Sequence, residues 1–232
     1  MIKAGLNMGI LSDEDKKTIS EKFRNELKAP VPILLLTSKD NCQYCNELRE
    51  LLEEISALGD SKILLEIREL TDEDKETLGV NHGPIVLIGE AENIRYTGSP
   101  FGEEGWAFLE AIVMTSRNEH GISDENVEKL QKLDKTIRIE TVITPSCPYC
   151  PYAALNAHKI AVASNGKVIS DVIEAYEFPE IADKWNVTAV PTIILSAEKP
   201  YSGEVFNIGP VSYTHLRAHE TRHDLVCRLL LE

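Results

Sequence analysis

Short apolar runs alternate with helix-like stripes along the chain. In the first half, runs that predict strands stand at 33–37, 63–67, 85–88 and 94–96. A helix is predicted after the first run, because apolar residues recur there at the spacing of one helix face. These residues are Leu48, Leu51, Leu52 and Ile55, and Gly59 follows as a C-cap. A short acidic helix is predicted from Thr71, and a closing helix carries apolar residues from Trp106 to Val113.

The second half repeats this order of elements. Its predicted strands stand at 137–143, 167–173, 192–195 and 204–208. A helix is predicted from Cys147 towards Ala163, and a short one from Phe178 to Trp185. The distance from the first motif cysteine to a strand-initial proline is also similar, from Cys42 to Pro84 and from Cys147 to Pro191. The chain therefore contains an internal duplication of an α/β unit.

Each half has an additional helix in front of its first strand. Ser12 to Asp15 has the pattern of a capping box, and Ser123 marks a similar start. We expect the apolar stripes of these helices to pack between the halves. The polar run at 115–121 is the best boundary, which predicts domains at 1–117 and 118–210.

The tail at 211–232 is interpreted separately. It resembles the conceptual translation of a sequencing adapter, so we expect an assembly artefact rather than protein structure. The alternative is a natural closing helix, since Leu225, Val226, Leu229 and Leu230 could form an apolar face. On the first interpretation, three histidines and Cys227 in the tail carry no function, and the true C-terminus beyond Pro210 is missing.

Two Cys-x-x-Cys motifs carry the candidate chemistry, Cys42 to Cys45 and Cys147 to Cys150. Each lies between an apolar strand and a helix, a context typical of thioredoxin-like redox motifs. A cysteine at a helix N-terminus has a lowered pKa and becomes a nucleophile for thiol–disulfide exchange. Cys42 and Cys147 are therefore the predicted nucleophiles, and Cys45 and Cys150 the predicted resolving thiols.

The residues inside the motifs are expected to tune the two sites differently. They are Gln43 and Tyr44 in the first motif, and Pro148 and Tyr149 in the second. Proline is favoured in a first helical turn because its fixed backbone angle suits the helix, whereas glutamine has no such restriction. Zinc binding is the alternative for paired cysteines, but the strand-to-helix context favours redox chemistry, so no metal site is predicted.

Pro84 and Pro191 are candidates for cis peptide bonds beside the cysteines. Such a bond would turn the backbone of Gly83 and Val190 towards each site, where it could bind an extended substrate. His82 is interpreted as a loop histidine rather than a proton shuttle.

A buried proton acceptor is expected near such a motif, but the sequence supplies no clear one. The positions six before the motifs are Leu36 and Thr141, and neither is a carboxylate. Glu174 is the better acidic candidate, although a residue in that position is more often exposed.

Composition narrows the class of protein. The chain has 232 residues, a formal net charge of −14 and five cysteines, four of them in the motifs. This charge disfavours nucleic-acid binding. There is no apolar run long enough for a membrane span and no visible leader, so a cytoplasmic location is expected.

These features together resemble the archaeal-type protein disulfide oxidoreductases, which join two thioredoxin-fold, glutaredoxin-like units. The matching segments are residues 8–17, the motif at 42–45, the run at 144–151 and the run at 186–191. The resemblance implies an α/β fold with two tandem domains, each a central mixed β-sheet flanked by helices. It also implies protein disulfide reductase, oxidase and isomerase activities, with electrons from a thioredoxin reductase and no cofactor beyond the redox-active disulfides.

Two departures from this family stand out. Gly83 precedes Pro84 where a larger residue is usual, and the tail replaces the final helix of the second half. Two other functions remain open from the residues. One is a dithiol relay dedicated to a peroxide-reducing enzyme, and the other is a metal-binding or chaperone-like module without catalysis.

Overall fold

The computed structural model describes residues 9–197, which form one α/β unit around a single mixed sheet of seven strands. The strands are β1 (Val31–Thr37), β2 (Ile63–Glu69), β3 (Ile85–Ile88), β4 (Ile94–Thr97), β5 (Ile137–Ile143), β6 (Val168–Glu174) and β7 (Thr192–Ala197). The α-helices are α1 (Asp13–Glu26), α2 (Cys45–Leu58), α3 (Asp72–Leu78), α4 (Gly105–Arg117), α5 (Asp124–Gln131), α6 (Cys150–Ala163) and α7 (Pro179–Lys184). A 3₁₀ turn at Gly102–Glu104 leads into α4.

Both halves have the same strand pairing, which confirms the predicted duplication. In the first half β1 pairs parallel with β2 and antiparallel with β3, and β4 extends the sheet. In the second half β5 pairs parallel with β6 and antiparallel with β7. The predicted strand at 204–208 and the tail at 211–232 lie outside the described residues.

The two halves share one continuous sheet instead of forming two separate ones. The join is a parallel pairing of β4 with β6, in which Ile94 to Thr97 align with Ser170 to Ile173. Both faces of the sheet therefore carry cores that include residues of both halves. The predicted boundary between residues 117 and 118 stays a prediction.

The two motif helices differ in burial although they occupy equivalent places. α2 buries five of its 14 residues, along one face. α6 buries nine of its 14 residues and packs on α4 and β4 of the other half. A helix that is apolar on all sides is normally buried on all sides. Its many alanines fit this position between the halves, because small side chains allow neighbouring elements to approach closely.

The two additional helices precede the first strand of each half, as predicted, but they pack against other elements than predicted. α1 starts with the predicted capping box, in which Ser12 Oγ accepts from the backbone of Asp15. Ser123 is the N-cap of α5, but its side chain caps no backbone group. α1 packs on α2 and α4, and α5 joins a core made of second-half residues alone. The prediction that these stripes pack between the halves is therefore wrong.

The start of both motif helices also differs from the sequence interpretation. α6 begins at Cys150 rather than at Cys147, and α2 begins at Cys45. The first cysteine of each motif thus stands in the turn that leads into the helix. None of the helices within residues 9–197 combines the length and apolar character that crossing a membrane requires.

Candidate active sites

Both motifs form disulfides at equivalent strand-to-helix junctions. Cys42 pairs with Cys45 between β1 and α2, with 5.4 Å between their Cα atoms. Cys147 pairs with Cys150 between β5 and α6, with 5.5 Å between their Cα atoms. Both separations lie within the usual range for disulfides. The backbone around the two sulfur pairs is thus nearly the same.

Within each pair, the cysteine assigned as nucleophile is the more accessible one. Cys42 is partly exposed and Cys45 is buried. Cys147 is 7% exposed, and Cys150 is completely buried. The backbone N–H of Cys150 donates to Cys147 Sγ over 3.2 Å, a contact that would stabilise a thiolate on Cys147. The nucleophilic and resolving roles remain predictions, and this arrangement is consistent with them.

A cis proline follows in each half, as the sequence predicts. The Gly83–Pro84 and Val190–Pro191 peptide bonds are both cis. The backbone N–H of Gly83 donates to Ser38 Oγ over 3.0 Å, which ties the first proline turn to the loop before Cys42. The predicted binding of substrate by Gly83, Pro84, Val190 and Pro191 stays a prediction.

The unusual glycine at position 83 has a steric reason. A Cβ on Gly83 would come within 2.7 Å of the Leu36 carbonyl oxygen and 3.2 Å of backbone atoms of Thr37. Strand β1 therefore leaves no space for a side chain there. Val190 is partly buried at the equivalent place and packs against the cores on both faces.

The residues inside the motifs also have different surroundings. In the first site, Gln43 donates to the Tyr44 hydroxyl over 2.9 Å, and the Tyr44 ring meets Phe101 edge-on. In the second site, Pro148 and Tyr149 are exposed. Their expected effect on reactivity is not decided by these contacts and stays a prediction.

A groove of about 490 Å³ opens beside Cys42. Its first wall comes from the first half and is formed by Lys39, Asn41, Cys42, Gln43, His82 and Gly83. Its second wall comes from the second half and is formed by Tyr176, Glu177, Pro179 and Glu180. The first redox site is therefore bounded by both halves of the chain.

His82 holds the two walls of this groove together. Its ring stacks on Phe178 with 4.4 Å between centroids, and Nε2 lies 3.5 Å from Glu180 Oε1. Its Nδ1 lies 2.9 Å from the Gly83 carbonyl oxygen. The residue is a loop histidine, as expected, but it also contacts the other half, which the sequence does not indicate.

Exposed aromatic side chains lie in and next to the second motif. Trp106, Tyr149 and Tyr152 are among the few large apolar residues that are exposed within residues 9–197. Trp106 belongs to α4 of the first half, and its ring lies 5.2 Å from that of Tyr152. The second site is thus also bounded in part by the opposite half.

One loop, residues 98–104 between β4 and α4, contacts both sites. Phe101 touches Tyr44 of the first motif. Ser99 donates to Glu177, which lines the first groove, through its backbone N–H over 2.7 Å. The backbone N–H of Glu103 donates over 2.9 Å to the carbonyl oxygen of Pro145, two residues before Cys147. We call this segment the bridging loop.

Glu104, at the end of the bridging loop, is a buried acid that sequence reasoning missed. It is 1% exposed, and neither carboxylate oxygen has a hydrogen-bond partner in the described part of the chain. Burial raises its pKa to about 8. The 3₁₀ turn that carries it packs on α6, the helix that begins at Cys150. A glutamate at a helix start is usually exposed, so the sequence contains no signal of this burial.

Two further buried polar groups lie beside Glu104. The Tyr96 hydroxyl and His158 Nε2 are 3.1 Å apart. Burial lowers the pKa of His158 to about 3, so its ring is neutral near pH 7. Burial, and then the charge of Glu104, raises the pKa of Tyr96 well above its usual value. Of these three groups, Glu104 alone changes charge near neutral pH.

The environment of the other candidate acid, Glu174, also differs from the one expected. Leu36 and Thr141 are buried, and Glu174 is only 3% exposed, so the expectation of an exposed residue is wrong. Burial raises the pKa of Glu174, and the backbone N–H groups of Tyr176 and Glu177 oppose this by donating to it. Glu174 therefore supports the turn that forms the second wall of the groove. Within residues 9–197, no cluster of three or more His, Cys, Asp or Glu could hold a metal ion.

Comparison with known proteins supports a thioredoxin-like fold. The family model described as a thioredoxin domain matches residues 137–209. No curated protein sequence matches the chain significantly.

Solved structures match over nearly the whole chain. A protein disulfide oxidoreductase from Aeropyrum pernix is 30% identical with a TM-score of 0.76, and the match covers 96% of this chain and 95% of that one. An alkylhydroperoxide reductase component from Enterococcus faecalis is 20% identical with a TM-score of 0.71, and the match covers 89% and 97%. At that identity the second match shows the fold alone.

Proposed function

The chain belongs to the protein disulfide oxidoreductases and carries out thiol–disulfide exchange, and we propose that it reduces, forms or isomerises protein disulfides. The observation that carries this proposal is the pair of Cys-x-x-Cys disulfides at helix starts, each followed by a cis proline in its half. A peroxidase relay and a metal-binding module explain two intact pairs less well. The match to the alkylhydroperoxide reductase component shows only that the fold is similar.

In reduction, the thiolate of Cys42 or Cys147 attacks one sulfur of a substrate disulfide. A mixed disulfide forms, and the other substrate sulfur leaves as a thiolate. Cys45 or Cys150 then attacks the enzyme sulfur, which releases the second substrate thiol and leaves the enzyme pair oxidised. Two electrons pass from the enzyme dithiol to the substrate. In isomerisation, a substrate thiol resolves the mixed disulfide instead.

Glu104 is proposed to hold and release the proton that this cycle requires at the second site. A resolving thiol must lose a proton before it can attack, and Cys150 is completely buried. Glu104 lies on the turn that packs on the same helix, and its pKa of about 8 allows proton exchange near neutral pH. Its role is to hold a proton on the turn that packs on the helix of Cys150, not to bind substrate.

The electrons are proposed to come from a thioredoxin reductase, which would reduce one of the two pairs. The chain then needs no cofactor beyond its two disulfides. Its partners are substrate proteins with disulfides or thiols, and the cytoplasm remains the proposed location. Nothing in these proposals requires nucleic acid or a membrane.

A redox titration tests this function. The full chain is equilibrated in thiol–disulfide buffers, free thiols are trapped by alkylation, and each cysteine is located by peptide mass. We expect two reversible pairs with potentials of roughly −180 to −300 mV, the range of catalytic dithiols and disulfides. If neither pair oxidises reversibly, or if both stay masked by a metal, the proposal is wrong and the binding module is favoured.

Assays with purified substrates separate the activities. A reductase is expected to reduce a protein disulfide with a dithiol as electron donor, and an isomerase to recover activity from a scrambled protein. A chain that reduces one peroxidase and no other disulfide substrate would instead be a dedicated relay.

A further inference from the structure

We propose that the groove beside Cys42 selects protein disulfides flanked by a basic residue, and that Glu180 and Tyr176 of the second half make this selection. The inference rests on the proposed function, because it names the substrate class of one of its two sites. The two residues that would determine specificity lie more than 130 positions after the first Cys-x-x-Cys motif in the sequence.

The groove has the size and position of a substrate site. Its volume of about 490 Å³ falls within the usual range for ligand pockets. Cys42 lines it together with Gly83, whose backbone precedes the cis proline. A substrate whose sulfur is bonded to Cys42 would therefore place a neighbouring side chain in the space between the two walls.

The second wall offers a carboxylate to that side chain. Two acids line it, but Glu177 is turned inward and accepts from the backbone N–H of Ser99 over 2.7 Å and from its hydroxyl over 3.3 Å. The Glu180 side chain is 49% exposed, and it contacts His82 at 3.5 Å. Glu180 is thus the acid available to a ligand, and its charge favours a cation.

The cation of the opposite wall already has an acidic partner. This cation is Lys39, which pairs with Glu69 over 3.3 Å. Tyr176 lines the same wall as Glu180 and has 72% of its surface exposed, so its ring face can accept a cation. A wall that offers both an aromatic ring and a carboxylate matches the side chain of arginine or lysine.

The wall is also held in place, which recognition requires. Phe178 lies between the two wall residues in sequence, is completely buried and stacks on His82. Pro179 begins α7 directly after it. Tyr176 and Glu180 therefore project from a segment that is anchored against the first proline turn. The preference is assigned to the first site, because Tyr176 and Glu180 line the groove beside Cys42.

The test isolates the first site in the full chain. A variant with Cys147→Ser, Cys150→Ser and Cys227→Ser, in which Cys42 and Cys45 are the remaining cysteines, is reduced and mixed with short peptides whose single cysteine carries 2-nitro-5-thiobenzoate through a disulfide. Cys42 attacks the peptide sulfur, the coloured thiolate leaves, and the mixed disulfide that forms is then resolved by Cys45. Two peptides are compared that differ only in an arginine or a glutamate next to cysteine.

We expect the arginine peptide to react about three- to tenfold faster at low salt, and the difference to shrink at high salt, as for exposed charge pairs. Glu180→Gln should bring the ratio close to one, and Glu180→Lys should reverse it. Tyr176→Ala should reduce the arginine rate and leave the glutamate rate nearly unchanged. The control is Glu128→Gln on α5, which removes the same charge from a side chain that is 72% exposed and remote from the groove.

The outcomes separate this inference from the proposed function. If both peptides release the chromophore at equal rates, or if Glu180→Gln leaves the ratio unchanged, the selection is wrong although the exchange activity stands. If neither peptide reacts with the reduced, folded variant, the proposed function fails at this site. Thermal unfolding of each variant shows whether the change is confined to recognition.

Discussion

The two redox sites have the same local geometry and different surroundings. Their Cα separations differ by 0.1 Å, and each is followed by a cis proline. The first site opens into a charged groove, and its nucleophile is partly exposed. The second has a buried cysteine pair and exposed aromatic neighbours, and its helix packs on the turn that carries the buried Glu104. Local sequence thus sets the disulfide, whereas the opposite half of the chain sets what surrounds it.

This difference indicates a division of work between the sites. An accessible cysteine in a groove suits the recognition of a substrate strand. A buried pair whose helix packs on the turn carrying Glu104, an acid with a pKa of about 8, suits proton exchange during the reaction. The bridging loop contacts both sites, so substitutions in it should alter the reactivity of both cysteine pairs.

The largest expected effect comes from removing one nucleophile at a time. Cys147→Ser should lower disulfide reduction at the second site by about a hundredfold or more, because a serine hydroxyl cannot replace a thiolate in exchange, whereas the first pair keeps its own exchange reaction. Cys42→Ser should cost less with small disulfide substrates, since the second site keeps its acid. Steady-state reduction of one protein and one small disulfide measures both. Full activity of Cys147→Ser would contradict the proposed importance of the second site.

Glu104→Gln tests the buried acid. The pKa of Glu104 is about 8 in the folded chain and near 4.5 when unfolded, so the unfolded chain loses this proton first as pH rises. Folding stability is therefore lost between about pH 4.5 and pH 8, by roughly 3–5 kcal/mol in all. The variant should be close to wild type at pH 4 and more stable at pH 9, as measured by urea unfolding of the oxidised chain.

A second readout connects Glu104 to the chemistry. The pH profile of alkylation at Cys147 and Cys150 should lose an inflection near pH 8 in Glu104→Gln, whereas the profile at Cys42 should not change. Glu128→Gln serves as the control. A stability difference that is the same at pH 4 and pH 9 would contradict the raised pKa.

Gly83→Val makes the first proline turn resemble the second, where Val190 stands. We expect a loss of about 1–3 kcal/mol in unfolding free energy, because the new side chain meets the backbone of β1. The first pair should also react more slowly, while the second pair keeps its rate. Denaturant unfolding and site-resolved alkylation measure the two effects. A variant as stable as wild type would show that β1 can move aside.

The smallest effect compares the two additional helices. Ser12→Ala should cost about 1 kcal/mol, since it removes a side-chain cap from α1. Ser123→Ala should cost only a few tenths of a kcal/mol, because Ser123 makes no side-chain cap on α5. The two unfolding free energies, measured under the same conditions, give the comparison. Equal losses would show that the cap hydrogen bond is not the source of the difference.

Much of the fold follows from patterns within short segments. β5 has the predicted bounds, because isoleucines at both ends close a stretch rich in β-branched residues that is flanked by polar residues. The cis prolines and the capping box at Ser12 were predicted from local spacing and confirmed. The start of α6 was predicted three residues too early, because the first motif cysteine belongs to the turn and not to the helix.

The sequence by itself determined the duplicated strand order, the two cysteine pairs and the turns beside them. These features depend on residues close together in the chain, whose spacing the backbone geometry translates directly into structure. Tertiary structure alone decided the pairing of β4 with β6, the burial of Glu104 and the groove shared by Cys42 and Glu180. Each depends on how one half packs on the other, and burial, which shifts a pKa, arises only from that packing.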